Sequence, residues 1–183
     1  MLLPHHRSRP LLVLSILLGL LACPGGPVVA GPAAAAPTAA APTVRLPRLH
    51  MHGVALAGAP RDLSVDEIDR LALLVTWKIQ DPYKRAENRY TGILLKDLVD
   101  TLAPGATHVR MRAINDYVAV FERAEWESLP ILLATRDGDA RMPVAAKGPA
   151  RVVFRQTRDN EMAMQVHAPK WIWQVVDVEF QRR

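Results

Sequence analysis

The residues able to do chemistry in this 183-residue chain are few and unevenly placed. Its one cysteine, Cys23, lies in an N-terminal hydrophobic run. Nothing after it can form an intramolecular disulfide, a zinc–thiolate site or a catalytic thiol. Two clusters of histidine and methionine remain as metal candidates, His50-Met51-His52 and Met162-Ala163-Met164-Gln165-Val166-His167. Residues two apart on a strand share a face, so His50 and His52 can point at one ion, and thioether with imidazole suits copper. The plainer reading is a strand whose Met51 enters the core while both histidines face water, followed later by a loop with gap-filling methionines. Ser64 and Ser128 belong to no Gly-x-Ser-x-Gly elbow, which sets aside a serine hydrolase.

The charge pattern narrows the partners. The formal net charge is +5, and two of the 23 Lys and Arg residues, Arg7 and Arg9, precede residue 44, leaving 21 against all 18 acids. Both signs alternate through this later part with no basic run, so nucleic-acid binding is not expected.

The N-terminal leader decides where the domain works. Basic residues precede the apolar run Leu11 to Ala22, which Pro24, Gly25 and Gly26 stop. This is the anatomy of a signal peptide, and the run is shorter than the ~20 apolar residues of a membrane-spanning helix. Two processing outcomes are open. Leu20-Leu21-Ala22-Cys23 resembles a lipoprotein box with a lipid anchor at Cys23, while Val28-Val29-Ala30 offers the small residues of ordinary cleavage; Pro24 favours the latter. The organisation expected is a signal peptide over 1–30, a Pro/Ala-rich linker over 31–43 and one domain over 44–183, periplasmic or secreted.

Within the domain the hydrophobic periods predict mostly strands. Leu46 to Ala57 reads as a strand interrupted at Gly53, and Ser64 with Glu67 is a capping box for a short helix through Leu71. Leu73, Val75, Trp77 and Ile79 alternate as one core-facing row; Asp81 to Arg89 is a polar loop. Leu94 to Leu102 is an amphipathic helix closed by Pro104-Gly105, followed by a strand with Val109, Met111 and Ala113 on one face. Asn115-Asp116 turns into a strand from Tyr117 to Phe121, and a helical turn spans Glu122 to Glu127. Strands Ile131 to Thr135, Arg151 to Phe154 and Trp173 to Phe180 complete the pattern, with a hairpin turn at Asp137-Gly138-Asp139. Of the four tryptophans, Trp77 reads as core, while Trp171 and Trp173 share a strand face and either cover a pocket or pack inside.

Five segments in this order carry a resemblance. Tyr90-Thr91-Gly92-Ile93-Leu94-Leu95-Lys96-Asp97-Leu98, Ile114-Asn115-Asp116-Tyr117, Leu133-Ala134-Thr135-Arg136-Asp137-Gly138 with Met142, Lys147-Gly148-Pro149 and Ile172-Trp173-Gln174-Val175 resemble the sulfite-oxidase-type molybdopterin-binding domain. The likeness is closest to its small exported stand-alone members and spans about residues 46 to 180. It implies an α+β fold, a β-rich mixed sandwich with two or three short helices. It also implies a pterin-dithiolene molybdenum cofactor held through a cysteine thiolate, and a cofactor or substrate cleft at Asn115, Asp116, Tyr117, Arg136, Lys147 and Gly148. Arg136 and Lys147 would supply cationic donors for an anionic group. The bland account makes Asn115-Asp116 an ordinary turn, Tyr117 a strand aromatic, Arg136 the partner of a nearby acid, and Gly148 a backbone requirement.

This chain departs from that pattern at the thiolate. The family's cysteine falls between the strand matching Ala72 to Ile79 and the Tyr-Thr-Gly segment, and Gln80 to Arg89 contains none. Thr76 and Asp81 lack the softness that holds such a metal. The expected function is therefore a non-catalytic exported domain that binds a small ligand or an envelope partner. A molybdopterin-dependent oxidoreductase with atypical metal ligation and a periplasmic copper-binding protein are the alternatives.

Overall fold

The computed structural model describes residues 47–81, 87–155 and 166–183. The chain divides between Pro42 and Thr43, and the described residues all belong to the unit Thr43–Arg183. Its class is the expected one, β-rich α+β, with two sheets and three short helices among the described residues.

One sheet has the order β2-β1-β10-β5-β6. In β1 (Arg48–His52) Leu49 and Met51 point into the core while Arg48 and His50 face out, the two-residue period of a half-buried strand. Gly53 then turns at φ 117°, and a Cβ there would collide with the backbone of Phe180, so glycine satisfies both the dihedral and the close approach. The short edge strand β2 (Arg61–Ser64) is mostly exposed and was not legible in the hydrophobic pattern. Ser64 caps α1 (Val65–Ile68) through the expected box, with Glu67 Oε2 accepting from the Ser64 backbone N–H at 2.7 Å and Glu67 N–H donating to Ser64 Oγ at 3.3 Å. The helix is a single turn and stops before Leu71.

The half of this sheet away from β2 is the hairpin of β5 (His108–Ala113) and the edge strand β6 (Val118–Glu122), joined by the tight turn at 114–117. The last strand, β10 (Val175–Gln181), lies at its centre, antiparallel to β5 and parallel to β1. Val109, Met111, Ala113, Val178 and Phe180 supply the inward rows.

The second sheet runs β3-β4-β7-β8, with β9 also paired to β7. In β3 (Leu74–Gln80) Trp77 and Ile79 are buried as expected, but Leu73, placed in the same row by the sequence, is 80% exposed because it precedes the strand. The polar stretch read as a loop is shorter than expected: β4 (Glu87–Leu94) already begins at Glu87. Gly92 sits at an irregularity in the β4–β7 pairing, where a Cβ would collide with the Leu133 carbonyl oxygen. α2 (Leu95–Leu102) buries Leu95, Leu98, Val99 and Leu102 and packs on β4 and β7. Ile131 to Thr135 in β7 (Ile131–Asp137) are all buried, as a strand covered on both faces requires. Gly138 at φ 65° turns β7 into the short β8 (Ala140–Arg141). α3 (Arg123–Ser128) buries Trp126 and contacts β6, and β9 (Arg151–Phe154) is wholly buried. The inward side chains of both sheets form one apolar cluster.

Candidate functional site

The β5–β6 turn builds one wall of a pocket. Asp116 adopts φ 63°, and its N–H donates to the Ala113 carbonyl at 3.0 Å. Asn115 Oδ1 accepts the Tyr117 N–H at 3.3 Å, a side-chain mimic of a backbone turn. These bonds fix Asn115 and Tyr117 at the mouth.

The facing wall is the segment 168–173, which opens with a 3₁₀ turn at Ala168–Lys170. Tyr117 Oη donates to the Pro169 carbonyl at 2.7 Å and so ties the two walls together. The Ile172 carbonyl accepts the Val152 N–H at 2.7 Å, and Trp173 bridges Arg151, which docks this wall against β9. Ala113, Asn115, Tyr117, Pro169, Trp171, Ile172 and Trp173 enclose about 220 Å³. Trp171 is buried and Trp173 partly so; both readings offered for this pair hold, since Trp171 also packs against Phe154 with ring centroids 6.0 Å apart.

Lys147 reaches this site through the aromatic wall. It ends a 3₁₀ turn at Val144–Ala146 with φ 71°, and its carbonyl accepts the Gln174 N–H at 3.1 Å. Gln174, at φ 56°, returns a bond from Nε2 to the Val144 carbonyl at 2.7 Å. The Lys147 ammonium stands 4.6 Å from the centroid of the Trp173 ring. Gly148, whose peptide bond to Pro149 is cis, packs directly on the Met142 backbone and leaves no room for a Cβ.

Of the six residues that the resemblance put in one cleft, Asn115 and Tyr117 line the pocket and Lys147 flanks its Trp173 wall. Asp116 projects into solvent and pairs with Arg112 at 3.2 Å. Gly148 serves the backbone. Arg136 is not a lining residue: its Nε and Nη2 donate to Asp69 Oδ2 at 3.2 and 2.9 Å, and Thr135 Oγ1 donates to Asp69 Oδ1 at 2.6 Å. Arg136 thus fastens β7 to the end of α1, as the bland account had it.

A buried charge cluster was missed. Arg151 and Asp81 are 1% and 0% exposed, with Nη1 2.9 Å from Oδ2. Tyr90 Oη donates to Asp81 Oδ2 at 2.7 Å and accepts from Arg151 Nη1 at 2.8 Å. Burial first, then the bond to Asp81, push the Tyr90 phenol far above its ordinary range. Charged side chains are rarely inside unless paired, so only the pairing could have revealed Arg151 as a core residue. Its Nε and Nη2 are buried and have no hydrogen-bond partner among the described residues.

The histidine pair shares the outer face of β1, with ring centroids 5.0 Å apart and planes inclined by 28°. His50 Nδ1 lies 2.7 Å from Asp62 Oδ1, and His52 Nε2 lies 3.2 Å from Asp177 Oδ2. Imidazole lone pairs lie in the ring plane, so rings this close to parallel do not aim both free nitrogens at one point. Among the described residues, no group of three or more His, Cys, Asp and Glu is gathered to hold a metal ion. Met162 and Met164, from the second proposed cluster, lie outside the described residues; His167 pairs with Glu125 at 3.1 Å.

No protein-family model matches the chain, and no curated protein matches it in sequence. Among solved structures, the sulfane dehydrogenase SoxCD from Paracoccus pantotrophus is similar, with a TM-score of 0.51 and 14% identity over 75% of this chain. The likeness covers 38% of that chain, so this protein corresponds to well under half of its neighbour's length. At that identity the likeness shows the fold, and the β-rich α+β class read from the sequence is the one found.

Proposed function

We propose that this chain is an exported, non-catalytic binding domain on the scaffold of the sulfite-oxidase-type molybdopterin proteins. Its ligand is a small molecule or a group on an envelope partner, taken at the Asn115–Tyr117–Trp173 pocket. The leader over 1–30 directs it to the periplasm or the exterior, and residues 31–43 tether the domain. No helix among the described residues is long and apolar enough to cross a membrane.

The observation that carries this reading is the donor set. A pterin-dithiolene molybdenum centre needs a soft thiolate, and the only cysteine is Cys23 in the leader. Asp81 and Thr76, the two oxygen donors weighed as substitutes for the thiolate, are engaged elsewhere. Asp81 is bound to Arg151 and Tyr90, and Thr76 Oγ1 bonds Thr91 Oγ1 at 2.8 Å. The residues present do not fit the family's cofactor. What remains is a concave aromatic site with a few polar groups, the usual composition of a ligand pocket.

The test is purification of the exported protein from the periplasm of a host that makes the pterin cofactor, followed by metal and intact-mass analysis. The expected protein lacks the leader and carries no stoichiometric molybdenum. Molybdenum bound one to one would overturn the non-catalytic reading, and retention in the cytoplasm with an intact leader would overturn export.

A further inference from the structure

We propose that the pocket selects a planar aromatic ligand bearing a negative charge, a single-ring carboxylate being the simplest case, and rejects the corresponding cation. This rests on the reading of the pocket as a ligand site and adds the chemical class of its occupant.

The size and shape of the walls set the first half. Trp171, Trp173 and Tyr117 face a volume of about 220 Å³, with Pro169, Ile172 and Ala113 completing an apolar lining. Drug-sized ligands occupy pockets of ~300–1,000 Å³, so this one admits one ring and a short substituent. Aromatic side chains favour offset or edge-on contact with another ring, and a flat ligand displaces water from several of them at once.

The sign of the charge follows from two groups. Lys147 is not part of the lining, yet its ammonium stands 4.6 Å from the Trp173 centroid. The quadrupole of that ring is already engaged by a cation. A second cation against the same indole would meet like charge, whereas an anion set at the ring edges, where the quadrupole is positive, meets the positive rim and the nearby ammonium. Asn115 adds to the preference. Its Oδ1 is occupied by the Tyr117 N–H, so the rest of the amide is a donor suited to a carboxylate oxygen. The only acid of the turn, Asp116, points to solvent and is paired with Arg112, so it brings no countercharge into the pocket.

The probes are phenylacetate, 2-phenylethanol and 2-phenylethylamine, close in size and differing in charge, titrated into the exported protein by tryptophan fluorescence and calorimetry. Phenylacetate is expected to bind at least about tenfold more tightly than the amine, with the alcohol between them. Lys147→Asn keeps a residue tolerant of the left-handed backbone and should shrink that gap to about threefold. Trp173→Leu should weaken all three ligands by about tenfold or more. An amine that binds as tightly as phenylacetate overturns the charge selection and leaves the ligand pocket standing. A folded protein that binds none of the three at millimolar concentration overturns both. Should Lys147→Asn misfold, the selectivity of the unaltered protein still decides, and so does its loss in high salt, since an ammonium-derived preference is screened.

Discussion

Arg151 and Asp81 hold opposite charges inside the protein, where losing either strands the other. Asp81→Asn is expected to destabilise the fold by about 3–5 kcal/mol, whereas the double change Asp81→Leu, Arg151→Met should recover much of that loss. Urea unfolding of the three proteins checks this, and a double variant as unstable as the single one would refute it. Tyr90 adds a pH dependence. Its folded phenol titrates far above the ~10 of an unfolded tyrosine, so its contribution is complete below pH ~10. As pH rises further the unfolded chain gives up a proton that the native state keeps, and stability falls by up to ~1.4 kcal/mol per pH unit. Unfolding midpoints between neutral and strongly alkaline pH should show this slope in the natural protein and not in Tyr90→Phe. These three residues also mark where sequence reading stopped. Arg151 opens a buried strand and looks like any surface arginine until Asp81, 70 positions earlier in the chain, is brought beside it. Arg136 shows the reverse case. Its place in a family-like segment suggested a ligand contact, but Asp69 was the nearer acid in space.

The elements were legible wherever one face meets the core and the other meets water. Trp77 and Ile79 in β3, Val109, Met111 and Ala113 in β5, and the a/d-like row of α2 follow the periods that burial imposes. β2 escaped because a four-residue edge strand with the sequence Arg-Asp-Leu-Ser buries too little to leave a pattern. The extent of the loop before β4 was overestimated for a related reason: Glu87 to Arg89 are polar, yet they pair with β3 through their backbones. The Tyr90-Thr91-Gly92 segment, noticed first as a family-like motif, has a local mechanical cause. Tyr90 completes the buried charge cluster, Thr91 bonds Thr76 across the strand pair, and Gly92 lets β7 approach. Gly92→Ala pushes a methyl group into the Leu133 carbonyl, and since the obstacle is backbone it cannot rotate away. A loss of at least about 3 kcal/mol is expected, read as a lowered urea midpoint. An unchanged midpoint would show that the two strands can part at that irregularity without cost.

At the scale of the whole molecule, the pocket and the charge cluster are different investments in the same scaffold. The charge cluster, drawn from Asp81 after β3, Tyr90 in β4 and Arg151 in β9, is closed to ligands of any size, while the pocket opens at the β5–β6 end of the other sheet. Ligand binding under the proposed function belongs to that rim, and variants at Tyr117 or Trp173 should alter binding more than stability.

The position of β10 has its own consequence for the life of the chain. Because β10 fills the middle of the β2-β1-β10-β5-β6 sheet, the β1–β2 pair and the β5–β6 pair are joined into one sheet only once β10 has been made. A nascent chain must therefore leave this sheet in two unconnected halves until β10 emerges, since the pairing that unites them spans more than 60 residues of sequence. A version ending at Gln174 should be degraded by limited proteolysis where the intact protein resists, and equal resistance would show that the sheet closes without its centre.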